Sequence, residues 1–187
     1  MEFPAHPFWD FSLALYGKPG VAPACLALQE RHGIDVNALM FCLWLGDSGR
    51  GPVPRAALEA AFAAVALWHA QVVRTLRPLR QRLKFGFDPV DSGLVQHLRA
   101  RLQKIEIDAE HLEQLTLAAS APAAMPARNG LAAEERARHA AHNAAAYFAH
   151  IGARPDTTDF DKLCAILVAA FALPEPALRG HLERAFA

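Results

Sequence analysis

The amino-acid sequence predicts an all-α fold, a helical bundle. Alanine is abundant, β-branched residues are sparse, and no segment keeps an apolar residue at every second position for long. Apolar residues recur instead at steps of three and four. A chain of 187 residues can bury a sizeable core without disulfides. We therefore expect a three-helix N-terminal unit packed on a long antiparallel αα-hairpin, followed by a linker and three shorter helices.

Residues 8–46 are expected to form the three-helix unit. Pro7 suits the first turn of a helix over residues 8–16, because the amide that proline lacks would be unpaired there. Gly33 stands where a left-handed residue ends the second helix, and Asp35 is placed to cap the third. The third helix, over residues 36–45, is apolar almost all round. Such a helix must be central.

A long hairpin should follow. From Pro54 an apolar stripe runs through Leu58, Phe62, Val65 and His69 and continues to Leu83. Pro78 should bend or end this helix, since it removes one backbone hydrogen bond. A second stripe over residues 93–118 predicts another long helix, and the short connection between the two favours antiparallel packing.

The remainder of the chain divides into a linker and a helical C-terminal part. Residues 118–133 are rich in alanine and proline and have no helical period, so they predict a linker that is open to disorder. Three helices are expected over residues 134–187, the second of them capped by Thr158 with Asp161. This gives a core over residues 1–117 and a C-terminal part that either shares its domain or docks on it.

Composition limits the functional classes. Lysine plus arginine equals aspartate plus glutamate at 19 each, and no nucleic-acid-binding motif is present, so nucleic acid is disfavoured as a partner. Three cysteines without a C-x-x-C pair indicate reduced, buried thiols. The most apolar windows are shorter than the roughly 20 residues that span a bilayer. We expect a cytoplasmic protein with no membrane span and no signal peptide.

Residues 8–46 contain four sequence motifs: Phe-Trp-x-Phe-Ser-Leu-x-x-Tyr, Pro-Gly-Val-x-x-Ala-Cys-Leu-x-Leu-Gln, Gly-x-Asp-Val-Asn and Cys-Leu-Trp-Leu-Gly. Together they resemble a family of short bacterial hypothetical proteins grouped as domain of unknown function 2390. The likeness fades through the long helices. It implies a small, mainly helical, cytoplasmic bacterial protein, and it transfers no catalytic residue.

No catalytic residue and no cofactor are predicted. Cys25 and His32 share a helix face but stand seven residues apart, about 10 Å along one helix, too far for a thiol to contact its base. One helix offers a set of metal-ligand types at steps of three and four, but no second helix brings a matching set. We therefore expect no metal site, with weak candidates at Glu135, His139 and His142 and with His150 on the same face.

A small-molecule pocket among the first three helices is an alternative hypothesis. Polar and aromatic side chains stand there among large apolar ones, and they either line a pocket or satisfy backbone groups near the turns. A carboxylate pair of Asp10 with Asp35 would require the first and third helices to meet at their amino ends. The candidate pocket residues are Trp9, Asp10, Tyr16, Gln29, Asn37 and Trp44.

The charge pattern supports the leading hypothesis, a cytoplasmic interaction protein without catalytic activity. Basic residues crowd the end of the first hairpin helix and the start of the second, so an antiparallel hairpin should have a basic tip. The interpretation that requires no function is a solvated tip with favourable charges at a helix carboxyl end. A functional tip would bind an unknown protein partner or a small anionic ligand, through Arg74, Arg77, Arg80, Arg99, Arg101 and Lys104. A third hypothesis is a homodimer formed through the hairpin.

Overall fold

The structure, a computed structural model, describes residues 3–187, and within them it contains helices and no strand. The all-α class predicted from the sequence is confirmed. The helices are α1 (Pro7–Tyr16), α2 (Val21–His32), α3 (Val36–Asp47), α4 (Arg55–Trp68), α5 (Arg74–Arg82), α6 (Ser92–Ala119), α7 (Ala133–His150), α8 (Thr157–Phe171) and α9 (Glu175–Phe186).

Helix α3 forms the centre of the molecule. Residues 37–46 are all buried, as expected for a helix that is apolar on every side. Helices α1, α2 and α6 contact it, and α7 makes the most extensive contact of all. Gly46 permits that contact, because a Cβ atom there would lie 2.5 Å from the backbone nitrogen of Ala140.

The local signals at the first three helices act as predicted. Pro7 occupies the first turn of α1. Gly33 ends α2 in the left-handed region, with φ of 66°. The Asp35 carboxylate caps α3 by accepting a hydrogen bond from the backbone N–H of Asn37 at 2.8 Å. These three signals depend only on neighbouring residues, which is why the sequence reveals them.

The predicted cap of α8 is wrong. Asp156 caps this helix, by accepting from the backbone N–H groups of Thr158 and Asp159, and the Asp159 side chain accepts in return from the N–H of Asp156. Thr158 therefore lies inside the first turn. The reciprocal pair is the predicted motif, displaced by two residues, because aspartate competes successfully with threonine as a cap.

The first arm of the hairpin is one continuous helix from Arg55 to Phe85. Between α4 and α5 it contains a π-helical segment, His69–Val73, and it ends in a 3₁₀ turn, Leu83–Phe85. Pro78 lies inside α5. Of the two effects predicted for it, a bend or an end of the helix, the end is therefore wrong.

The two arms of the hairpin run antiparallel. The Trp68 indole N–H donates to the carbonyl of Ala109 at 3.0 Å, and the Gln96 amide donates to the carbonyl of Leu83 at 3.3 Å. Residue numbers thus rise on one arm as they fall on the other. Because α6 contacts both α1 and α3, the hairpin supplies one wall of the site described below.

The C-terminal helices share one apolar core with the N-terminal unit. Phe148, Leu167 and Leu182 belong to the same buried cluster as Phe41 and Leu45. The segment predicted as a linker is irregular over residues 120–132 but not detached: Met125 packs against this core, and the N–H of Arg128 donates to the carbonyl of Ser48 at 3.0 Å. The segment thus closes over the loop between α3 and α4.

One helix of the described chain is long and apolar enough to cross a membrane. It is Arg55–Phe85, which has an 18-residue window of mean hydropathy 1.5 that is 28% buried. Helices α1 and α2 meet the same criterion together but are bent by 97°. The core helix of a soluble protein meets the same criterion, and the expectation of no membrane span stays a prediction.

The close approach of α3 and α7 can be tested by Gly46→Ala. Alanine gains helix propensity over glycine, by up to about 1 kcal/mol, but its Cβ would lie 2.7 Å from the Cα and Cβ of Ala140. The obstacle is backbone, so we expect a net destabilisation of about 1 to 3 kcal/mol in urea unfolding.

Gly180→Ala is the matched control. Gly180 also lies within a helix, but the nearest obstacle to a Cβ is the mobile guanidinium of Arg184 at 3.3 Å. This variant should be neutral or more stable by up to about 1 kcal/mol. Equal stability of the two variants would show that α3 and α7 do not approach closely.

Candidate functional site

A cavity of about 620 Å³ opens between α1, the amino end of α3, and the two arms of the hairpin. Met40 and Val73 supply apolar wall, and Trp9 and Tyr16 supply aromatic wall from α1. The volume is in the range of sites for small molecules. A second depression, beside Lys18 and α8, gathers no comparable set of polar groups.

Three ionisable side chains meet at the wall formed by α3, the π segment and α6. His69 Nδ1 lies 3.0 Å from an oxygen of Glu113 and 3.3 Å from an oxygen of Asp35. The Glu113 side chain is fully buried, and the Asp35 side chain is only 13% exposed. We call these residues the Asp35–His69–Glu113 cluster. Two carboxylates thus approach the same nitrogen of one imidazole, and they are held there almost out of contact with water.

Amide side chains form hydrogen bonds on the side of this cluster that faces away from His69. The Asn37 side chain donates to Glu113 Oε2 at 2.7 Å, and the backbone N–H of Asn37 donates to Asp35 Oδ1 at 2.8 Å. Gln114 donates to the Asn37 side-chain oxygen at 2.8 Å. One residue, Asn37, thereby fixes one oxygen of each carboxylate. The other oxygen of each is the one that faces His69.

Burial and mutual repulsion perturb the ionisation of the cluster. Burial, together with the negative charge of Glu113, raises the pKa of Asp35 above its ordinary value. Burial alone would lower the pKa of His69, but the hydrogen bond to Glu113 and the charge of Asp35 outweigh it and raise that pKa. The cluster therefore favours a bound positive charge, whether that is a proton or a cation.

A second polar group lines the cavity towards the hairpin tip. Arg77 Nε lies 3.2 Å from Glu106 and its terminal nitrogen 3.4 Å from Glu110, and the guanidinium also donates to Gln29. Arg80 forms a further ion pair with Glu106. Glu106 is 4% exposed overall, so its two arginine partners compensate a carboxylate that would otherwise be buried alone.

Four of the six predicted pocket residues line the cavity: Trp9, Tyr16, Gln29 and Asn37. Trp44 does not. It is 4% exposed and stacks on Phe8 with ring centroids 5.2 Å apart, because the face of α3 that carries it points into the core.

Asp10 is exposed and does not line the cavity either. The carboxylate that comes within 4.8 Å of Asp35 is Glu113, so the suggested pairing of Asp10 with Asp35 is wrong. Helix α6 lies against the amino end of α3 and places Glu113 there.

The residues of the predicted basic surface lie in two separate places in the structure. Arg74, Arg77 and Arg80 line the cavity, and the last two are bound to acidic partners. Arg101 and Lys104 are exposed on α6, and Arg99 is half-buried. Whether the exposed members bind a partner stays a prediction.

The weak metal candidates on α7 do not converge. His139 is buried and lies 3.8 Å from Glu135, whereas His142 is exposed on the same helix. His150 points towards Glu59 and the ring of Phe62. In residues 3–187, the group whose ligand atoms all lie within 4.8 Å of one another is the Asp35–His69–Glu113 cluster.

The cysteines are buried and unpaired, as the sequence indicates. Burial raises the pKa of Cys25 to about 12 and raises the pKa of Cys42 as well, so neither is a reactive thiolate at neutral pH.

Sequence reasoning missed His69, Glu106 and Glu113 as site residues. His69 was visible only as a member of an apolar stripe, and the two glutamates only as acids on the second hairpin arm. The usable signal is a polar residue at a position where the helical period requires an apolar one, since such a residue is buried and needs partners.

Comparison with known families decides the classification. A family model described as protein of unknown function (DUF2390) matches residues 7–117, more than half of the chain. The chain belongs to this family. No curated protein and no solved structure matches it. The matched range contains every residue that lines the cavity and all of the Asp35–His69–Glu113 cluster, whereas α7, α8 and α9 lie outside it.

Glu110 should make the stability of the protein depend on pH. Burial raises the pKa of its carboxyl from 4.5 to about 7, although Arg77 acts in the opposite direction. The folded state thus holds the proton more tightly than the unfolded state. The stabilisation is complete below pH 4.5 and is lost as the pH rises through 7, by up to about 3 kcal/mol.

Glu110→Gln should remove this contribution. We expect the variant to gain roughly 1 to 3 kcal/mol over the wild type at pH 8 and little at pH 4.5, measured by urea unfolding across that range. Asp108→Asn, an exposed change on the same helix, serves as the control. A constant difference between Glu110→Gln and the wild type at all pH values would contradict the assignment.

Proposed function

We propose that the protein binds a small anionic organic molecule in the cavity between α1, α3 and the hairpin. The observation that carries this proposal is a pair of buried polar atoms in the cavity wall, Ser12 Oγ and Gln114 Oε1. Neither has a hydrogen-bond partner among residues 3–187. Both residues are 4% exposed.

Such atoms are costly unless something binds them. A buried polar group without a hydrogen bond destabilises a fold by about 1 to 3 kcal/mol, and natural structures contain few of them. Ser12 lies on α1 and Gln114 on α6, so the two approach the cavity from different walls. A polar ligand that donates a hydrogen bond to Gln114 Oε1, for example from a hydroxyl group, and also bonds to the Ser12 hydroxyl relieves both costs at once.

Arg74 supplies the preference for an anion. It lines the cavity and is exposed, and it has no carboxylate partner within 4.0 Å among the described residues, unlike Arg77 and Arg80. Its positive charge is therefore available to a carboxylate or phosphate, with which arginine forms paired hydrogen bonds. Trp9 and Tyr16 offer apolar surface to the remainder of the ligand.

A thermal-shift screen tests this proposal. Dicarboxylates, tricarboxylates and phosphate monoesters are added to the full chain, and each compound that raises Tm is titrated by calorimetry. We expect saturable binding of at least one of them. Arg74→Ala should weaken that binding about tenfold, since a charged hydrogen bond contributes about 1.5 to 3 kcal/mol.

The matched control is Arg101→Ala, which removes an exposed arginine from the next hairpin arm. It should change the affinity less than about twofold, the scale of screened surface charges. Binding that is unaffected by Arg74→Ala, or a screen without any saturable ligand, would refute the cavity as the binding site.

A second candidate function is supported by exposed apolar residues at the hairpin tip, which we define as residues 79–104. Phe85 is 85% exposed and Leu94 is 69% exposed, and the same segment carries the exposed cations Arg101 and Lys104. Exposed apolar groups in a cluster are typical of interaction sites. We propose an acidic protein as the partner, because a second copy of the same basic tip would be repelled.

The double substitution Phe85→Ser with Arg101→Glu tests the tip. An acidic partner captured by the wild-type chain should be lost by this variant, which removes apolar contact and reverses a charge. Leu67→Ser is the control, because Leu67 is 68% exposed but lies on α4. Identical partners for all three proteins would exclude the tip as the docking surface.

A further inference from the structure

We propose that the Asp35–His69–Glu113 cluster is a binding site for one divalent transition-metal ion. The inference deepens the proposed function, because Asp35 and His69 belong to the wall of the same cavity. It can nevertheless be tested without any organic ligand, since the metal alone is the probe.

The geometry of the free atoms favours coordination. Asn37 holds Glu113 Oε2 with its side chain and Asp35 Oδ1 with its backbone N–H. The remaining oxygens, Glu113 Oε1 and Asp35 Oδ2, converge on His69 Nδ1. Outer partners that fix one atom of a ligand and leave the other towards the ion are a regular feature of metal sites.

The spacing of these atoms matches a single ion. Two ligands at about 2.1 Å from one metal are about 3.0 Å apart at a right angle and about 3.4 Å apart at a tetrahedral angle. Here the distances from Nδ1 are 3.0 Å to Glu113 and 3.3 Å to Asp35, and all three ligand atoms lie within 4.8 Å of one another. An ion can contact all three after movements of a few tenths of an ångström.

Gln114 provides a second observation, although its unpaired oxygen also supports the organic ligand proposed above. It is 4% exposed and adjoins Glu113 in the chain, and it donates to Asn37, yet its side-chain oxygen has no donor among residues 3–187. Gln114 lines the cavity together with Asp35 and His69. A water molecule on the ion would supply the missing donor, and three protein ligands leave positions for it.

The donor set indicates the class of metal. One imidazole with two carboxylates suits Zn²⁺, Fe²⁺ or Mn²⁺, whereas Mg²⁺ and Ca²⁺ prefer oxygen alone. A bound ion with open positions towards the cavity would also attract an anionic ligand. The metal would therefore supply a second positive anchor, besides Arg74, for the anion proposed above.

The experiment measures binding of Zn²⁺ and of Mn²⁺ to the chelator-treated full chain by calorimetry, with metal content checked after dialysis. We expect one equivalent of Zn²⁺ bound more tightly than Mn²⁺. Glu113→Gln and Asp35→Asn should each lower the affinity at least about 30-fold, since loss of even an outer partner costs about 10- to 100-fold. Both keep the shape of the side chain, and asparagine still caps α3, so the metal-free variants should melt no lower than the wild type.

His142→Ala is the control, because it removes an exposed histidine from α7 and should leave binding unchanged. Absence of stoichiometric Zn²⁺ binding would overturn the metal site, and so would binding that survives both carboxylate substitutions. Metal binding without any anionic hit in the ligand screen would uphold the metal site and refute the proposed function, so the two failures are distinguishable.

Discussion

Helix α3 is enclosed on every side, and the rest of the structure depends on that enclosure. Ten consecutive residues are buried, which requires α7 to approach until Gly46 meets the backbone of Ala140. The amino end of α3 is half-buried against α6 and α7 and faces the cavity. A helix end carries unpaired N–H groups and attracts negative charge, so it must find polar partners inside the protein.

The partners come from two distant parts of the chain, α6 and α7. The Tyr147 hydroxyl, on α7, bonds to the backbone of Asp35, and Gln114, on α6, bonds to Asn37. Glu113 completes the set from the same helix. Its presence is not needed to cap α3, since Asp35 already does so, and two facing carboxylates repel each other. A second acid in a buried place where one suffices is typical of a site that binds something positive.

The sequence could predict those features that depend on near neighbours or on a helical period. Pro7, Gly33 and Asp35 mark helix ends by local chemistry, and the apolar residues of α3 require a central helix. Trp44 was misassigned to the pocket because α3 is apolar all round, so the period cannot say which face meets which neighbour. Tertiary packing decides that question, and one sequence does not contain it.

The site residues were harder to predict, and the π segment shows why. Within His69–Val73 the N–H of Arg74 bonds to the carbonyl of His69, five residues back, so this turn holds one residue more than an α-helical turn. The turn lies just before Pro78, which lacks the N–H that would bond to Arg74.

The extra residue rotates everything after it. A stripe counted at a strict 3.6 residues per turn through His69 therefore assigns α5 the wrong face. Arginines that such counting places on an outer, solvated surface are turned instead towards the cavity, as Arg77 and Arg80 are. The sequence alone presents the basic surface and the pocket as alternative sites. The π turn brings part of the first into the second, so that a histidine and arginines from one helix face the same small volume.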